Sequence, residues 1–102
     1  MSTPTVHDTD TARLDAVLDA LASSSAALAD TPPRDRARAL RAVADALDAE
    51  RDELVVLAGD ETALPSARLV GEVRRTSGQL RMFADGLDDG SVLDVVIDTA
   101  DP

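Results

Sequence analysis

"DETALPSARLVGEVRRTSGQLRMFADG" occupies residues 60–86 and joins the end of one apolar run, a proline, and the cleanest periodicity in the chain. Proline in a helix interior removes an amide donor and clashes with the preceding turn, so Pro65 ends the first run and can open the second. Beyond it, Leu69, Val73, Thr76, Leu80, Phe83 and Leu87 recur at spacings of four, three, four, three and four. That is one face of a helix about five turns long. Gly71 and Gly78 each weaken such a helix by ~1 kcal/mol relative to alanine, and their separation predicts a close backbone approach by another element. The stripe predicts that Leu80 and Phe83 are buried, with Phe83→Ala costing ~3–5 kcal/mol in a fully packed site.

Working toward the N-terminus, "RDRARALRAVADALDAE" carries Leu40, Val43, Ala44 and Leu47 at helical spacing. Pro33 fits the first position of that helix. "DELVVLAGDET" adds further helical turns from about Glu50, with Leu54, Leu57 and Ala58 inward; the pattern fits one kinked helix or two. "DTPPR" separates this run from a first helix that starts near Asp10 or Thr11, where side-chain oxygens can cap free amides. Its stripe is Leu14, Val17, Leu18, Leu21, Ser25 and Leu28, and "ASSSAALAD" makes its far end the weaker one. Residues 1–10 are polar and read as a disordered tail.

Working toward the C-terminus, "GLDDG" stops the long helix. "SVLDVVID" is then a strand candidate of β-branched residues. A lone strand leaves its backbone donors and acceptors unpaired, so it does not persist without a partner. The expected fold class is mainly α: three to four helices over 11–90, followed by one C-terminal strand over 91–102. No internal repeat or low-complexity segment stands out at this level.

Composition bounds the rest. Twenty acids against ten arginines give a net charge of −10, a field that repels phosphate backbones and anionic lipid; nucleic-acid and membrane partners are not expected. Lysine and asparagine are absent, which suits either a GC-rich gene or a salt-adapted proteome. Phe83 is the only aromatic residue, so a core lacks its usual large anchors and an isolated monomer should be weakly stable. There is no cysteine for a disulfide, a thiolate nucleophile or a metal. "MSTPTVHDTD" is no signal peptide, and a soluble cytoplasmic protein is the default expectation.

Tested for chemistry, the residues yield no catalytic or metal site. His7 stands alone in the tail. "DGLDDGSVLDVV" resembles a calcium loop, but aligned on Gly90 it puts Leu87 and Val96 where oxygen ligands are needed. Asp48, Glu50, Asp52 and Glu53 read as a solvated helix face rather than a cation site. Arg74, Arg75 and Arg81 give the long helix a basic side, suited to ion pairs with acidic neighbours. No glycine-rich phosphate loop and no nucleophile elbow occurs.

"PPRDRARALRAVADALDAERDELVVLAGDETALP" resembles the helical run of the aldehyde dehydrogenase N-terminal region that ends in E-T-G-x-P. "ARLVGEVRRTSGQLRMFADGLDDGSVLDVVIDTADP" is similar to that family's next helix and the strand leading from it. The likeness covers roughly residues 11–102 and is closest to the bacterial group that includes α-ketoglutaric semialdehyde dehydrogenases. It implies the N-terminal helical segment of an α/β enzyme that uses NAD or NADP. In that family a cysteine attacks the aldehyde, hydride passes to the nicotinamide, and a glutamate-activated water releases the acid. An asparagine amide helps to hold the oxyanion. This chain has neither Cys nor Asn, so no catalytic residue carries over, and no cofactor binding is expected of the chain alone. Ala63 stands where the motif has glycine, which makes a left-handed turn there costly. Val92 stands where many relatives have tryptophan. The resemblance also implies that Glu72, Arg75, Gln79 and Phe83 line the substrate tunnel of an intact parent.

Three functional expectations follow: a truncated aldehyde dehydrogenase segment inactive alone, one piece of a split enzyme, or a small helical module that binds a protein partner. The strand edge and the uncovered apolar stripes would favour self-association or pairing with the remainder of such an enzyme.

Overall fold

A computed structural model describes residues 7–93 of the chain. They form α1 (Thr11–Asp30), α2 (Pro33–Ala49), α3 (Arg51–Thr62), α4 (Ser66–Asp89) and a 3-10 turn (Ser91–Leu93). The chain divides after Thr31 into two units, one containing α1 and the other α2 to α4. No helix among the described residues is long and apolar enough to cross a membrane.

α1 starts where its capping residue predicts. Asp10 is extended at φ −68° and ψ 150°, and its Oδ1 accepts the Arg13 amide at 2.8 Å, satisfying one donor of the open first turn. Farther along, the hydroxyls of Ser23 and Ser24 donate to the carbonyls of Asp19 and Ala20, each at 2.8 Å. Such back-bonding adds little to a helix. No residue of α1 is buried, and its stripe from Leu14 to Leu28 is exposed along its length.

In the second unit, Pro33 opens α2 as its first residue, behind an extended Pro32. α2 and α3 are separate helices that meet at Glu50 (φ −95°, ψ 8°). The hydrogen-bond ladder nonetheless passes through that residue, with the Glu50 amide on the Ala46 carbonyl at 3.1 Å and the Leu54 amide on the Glu50 carbonyl at 3.0 Å. α3 ends on Thr62, whose hydroxyl donates to the Ala58 carbonyl at 2.6 Å and accepts the Leu64 amide at 3.3 Å. Ala63 then takes the left-handed conformation, φ 58° and ψ 18°. Its position in the E-T-A-L-P sequence is the one where the family motif has glycine, and the strain argument applies to it directly.

α4 packs along α2, with α3 against its first half. Arg41 of α2 meets Asp85 and Asp88, while Arg81 of α4 meets Asp45 and Asp48. Early residues therefore face late ones, and the two helices run antiparallel. The seam is built from small residues. Ala37 and Ala44 on α2, and Ser77 and Ala84 on α4, are buried, flanked by half-buried Leu40, Leu47, Val73, Leu80 and Leu87.

This corrects the sequence-based stripe. Phe83 is 58 % exposed, Thr76 is exposed, and Leu80 is half-buried rather than core. The inward face of α4 is Leu69, Val73, Ser77, Leu80, Ala84 and Leu87, so two of the six positions shift by one residue. Summed hydrophobicity favours Thr76 and Phe83. Steric fit favours Ser77 and Ala84, because two helices that approach through alanines leave no room for a phenyl ring between them.

Gly71 and Gly78 do not mark a close approach, since a Cβ at either would meet nothing within 4 Å. At Gly59 a Cβ would make an ordinary van der Waals contact, 3.7 Å from Leu69 Cδ1. The strand expectation is also corrected where it can be checked. Gly90 caps α4 at φ 78°, Asp89 Oδ1 accepts the Ser91 amide at 2.8 Å, and the Leu93 amide closes on the Gly90 carbonyl at 3.0 Å. Ser91–Leu93 is thereby held as a 3-10 turn, and no strand occurs among the described residues. The rest of the strand expectation, residues 94–102, lies outside them.

Candidate functional site

Three surfaces of the α2–α4 unit carry exposed chemistry. The first is the outward face of α4. Glu72, Arg75, Gln79 and Phe83, separated by three, four and four residues, share that face, and all four are exposed. Glu72 lies 4.0 Å from Arg68, and Arg75 has no ion-pair partner among the described residues. The set combines an acid, a guanidinium, an amide and an aromatic ring, which suits recognition of a mixed polar and apolar surface.

The second surface is a cleft of about 230 Å³ where α3 leans on α2 and α4, lined largely by Leu47, Leu54, Val55, Leu69 and Val73, with Glu72 and Thr76 at its edge. Its lining is almost wholly apolar. It arises because α3 covers only part of the leucine flank of the α2–α4 pair.

The third is the pair of arginine clamps. The Arg41 guanidinium spans Asp85 and Asp88 at 2.7 and 2.6 Å, and that of Arg81 spans Asp45 and Asp48 at 2.7 and 2.8 Å. Both arginines have their pKa raised, each first by its hydrogen bonds to the two aspartates. Asp48 is held below the usual carboxylate value, first by the Ser77 hydroxyl and then by Arg81. In the geometry of the seam that hydroxyl donates to the Arg74 carbonyl, at 3.3 Å. Asp48, Ser77 and Arg81 line an open recess with Arg51, Arg74 and Gly78. Of the basic residues singled out in the sequence, Arg81 finds acidic partners, whereas Arg74 and Arg75 find none among the described residues.

The clamps expose a repeat that escapes a first reading. Leu40-Arg41-x-x-Ala44-Asp45-x-Leu47-Asp48 recurs forty positions later as Leu80-Arg81-x-x-Ala84-Asp85-x-Leu87-Asp88. Arg34 and Arg74 extend it upstream. Paired antiparallel, the two copies make each contact twice, giving the seam a local two-fold symmetry. The signal was in the sequence as L-R-x-x-A-D-x-L-D, and a search at fixed offset would have found it.

No cluster of His, Asp or Glu among the described residues is placed to hold a metal ion. The described α2–α4 residues thus form a helical segment with one mixed exposed face and one apolar cleft. The aldehyde dehydrogenase family model matches residues 2–98, and the chain belongs to that family. It is 51 % identical over 67 residues to "Alpha-ketoglutaric semialdehyde dehydrogenase 2" of Azospirillum brasilense, covering 66 % of this chain and 13 % of the relative. It is 40 % identical over 72 residues to "Alpha-ketoglutaric semialdehyde dehydrogenase" of Acinetobacter baylyi, covering 71 % of this chain and 14 % of that protein. The chain thus spans about one seventh of the length of these curated relatives. No solved structure matches it.

Proposed function

We infer that these 102 residues serve as the N-terminal helical segment of an NAD(P)-dependent aldehyde dehydrogenase whose parent reaction oxidises a semialdehyde to the carboxylic acid. By themselves they are inactive. The observation that carries the reading is the likeness, over two thirds of the chain, to two proteins named as α-ketoglutaric semialdehyde dehydrogenases. With no cysteine and no asparagine, the 102 residues supply neither the family's thiolate nor its oxyanion amide, so that chemistry rests on other residues of a complete enzyme. NAD or NADP would likewise be bound elsewhere.

In this role the outward face of α4 is the part closest to substrate. Glu72, Arg75, Gln79 and Phe83 would border the substrate tunnel, with Arg75 suited to an anionic aldehyde and Phe83 to its apolar stem. The exposed stripes of the helices would be covered by the rest of the enzyme.

A chimera tests this. The matching segment of the Azospirillum relative is replaced by the 67 residues of this chain that align with it, and NADH or NADPH formation is followed with a semialdehyde substrate. Activity in the chimera, with none from the 102-residue chain alone, is the expected result. A folded but inactive chimera would count against the segment reading, and turnover by the chain alone would overturn its inactivity.

A further inference from the structure

The repeat in α2 and α4 makes the seam self-complementary. We propose that a second copy of this chain is a partner for it, through reciprocal exchange of α4 between two molecules.

Two independent observations support exchange. The first is chemical equivalence. Arg41 with Asp85 and Asp88, and Arg81 with Asp45 and Asp48, are the same contact made twice, across buried Ala37, Ala44, Ser77 and Ala84. If α4 of one molecule lies on α2 of another, every ion pair and every small-residue contact of the seam is rebuilt, and only the hydrogen bonds of the Ala63–Leu64 turn are given up. The second is the hinge. Only Ala63, Leu64 and Pro65 connect α3 to α4, and Ala63 is left-handed in the closed form. A short strained connection favours an open arrangement that releases it, the ordinary route to a swapped dimer. The closed form is favoured by an effective concentration of roughly millimolar for so short a linker, so exchange should emerge as the protein approaches that range. Relief of one left-handed alanine shifts the balance toward the open chain by about 5–30-fold.

The test uses the full chain. One variant carries Arg41→Asp, and another carries Asp85→Arg with Asp88→Arg. Each alone has one clamp broken by like charges. In an exchanged heterodimer of the two variants, the altered α2 meets the altered α4 with opposite charges, and the unaltered pair is restored as well. Sedimentation of the mixture should therefore show a heterodimer tighter than either variant forms alone or with the wild type. Far-UV circular dichroism should show helix content regained on mixing. Ala63→Val, which tolerates the left-handed region less, should raise the dimer fraction, and Ala63→Gly, acting at both hinges of the dimer, should lower the association constant by about 30–900-fold. If the complementary mixture associates no better than its parts, or if Ala63→Gly leaves association unchanged, exchange through α4 is wrong.

Discussion

α1 and the α2–α4 unit are both helical and both carry net negative charge, but different forces hold them. α1 has twenty residues, a capping aspartate and an unbroken apolar stripe, yet none of its side chains is buried. α2 and α4 bring their leucines only to the flanks of the seam, yet they are fixed in register by two arginine clamps and a row of small buried residues. An amphipathic stripe announces only that a helix has something to bury. What locks a helix in place is a partner surface cut to its shape, because most helical stability in proteins comes from packing rather than propensity.

The sharpest way to break this contrast is to truncate one leucine in each region. Leu69 is 7 % exposed against α3, so Leu69→Ala should cost ~2–5 kcal/mol of stability in the α2–α4 unit. Leu21 is 64 % exposed, so Leu21→Ala should change stability by no more than about 0.5 kcal/mol. Chemical denaturation followed by circular dichroism measures both. Equal losses would mean that α1 is packed as firmly as α4.

Overfilling the seam is the next largest effect. Ala84 is fully buried where α2 approaches, and Ala84→Leu should cost about 1–3 kcal/mol. Phe83 sits one position away and 58 % exposed, so Phe83→Ala should cost under about 1 kcal/mol rather than the loss expected of a core ring. If the phenylalanine proves the costlier change, the observed rotation of α4 is wrong.

That one-residue rotation also shows what was legible in the sequence. Helix starts at Asp10, Pro33 and Pro65 were readable because capping and proline stereochemistry act within a few residues. The outward set Glu72, Arg75, Gln79 and Phe83 came from family likeness, and the structure places it together on one exposed face without testing its role. The seam was not legible from hydrophobicity. Ser77 and Ala84 score as neutral, and their value appears only when another helix of small residues lies opposite. The clamps were hidden for a related reason: Arg41 and Asp85 are far apart in sequence, and each alone looks like a solvated charge. Over Ser91–Leu93, β-branched composition lost to a glycine cap and an aspartate that accepts the next amide.

The connection between α3 and α4 gives a smaller, opposite effect. Ala63→Gly removes the steric penalty of φ 58° but adds backbone entropy to the unfolded chain, leaving a net gain of about 0.5–1 kcal/mol. Urea midpoints at low protein concentration, where the closed chain dominates, would measure it. A loss on substitution would show that the left-handed turn carries no strain.

The smallest expected effect concerns pH and belongs to the α2–α4 unit, since no ion pair among the described residues involves α1. Asp48 is held below the ordinary 3.8 by Ser77 and then Arg81, and Asp89 by the amide and hydroxyl of Ser91. A carboxylate depressed in the folded state contributes its full stabilisation above the unfolded value. It loses that contribution as the pH falls through the lower, folded value. The unit should therefore melt at a steady temperature from neutrality to about pH 5 and fall away below the ordinary carboxylate range. Many acids titrate there, so the wild-type curve alone cannot assign the loss to Asp48. Ser77→Ala isolates it. The substitution removes the first cause of the Asp48 depression, and with it the hydrogen bond to the Arg74 carbonyl, which does not titrate. The melting difference between wild type and variant should then have a constant part, seen at every pH, and a part present at pH 7 that disappears toward pH 2. A difference flat across the whole range would place the Ser77 proton on the Arg74 carbonyl alone and take it out of the clamp.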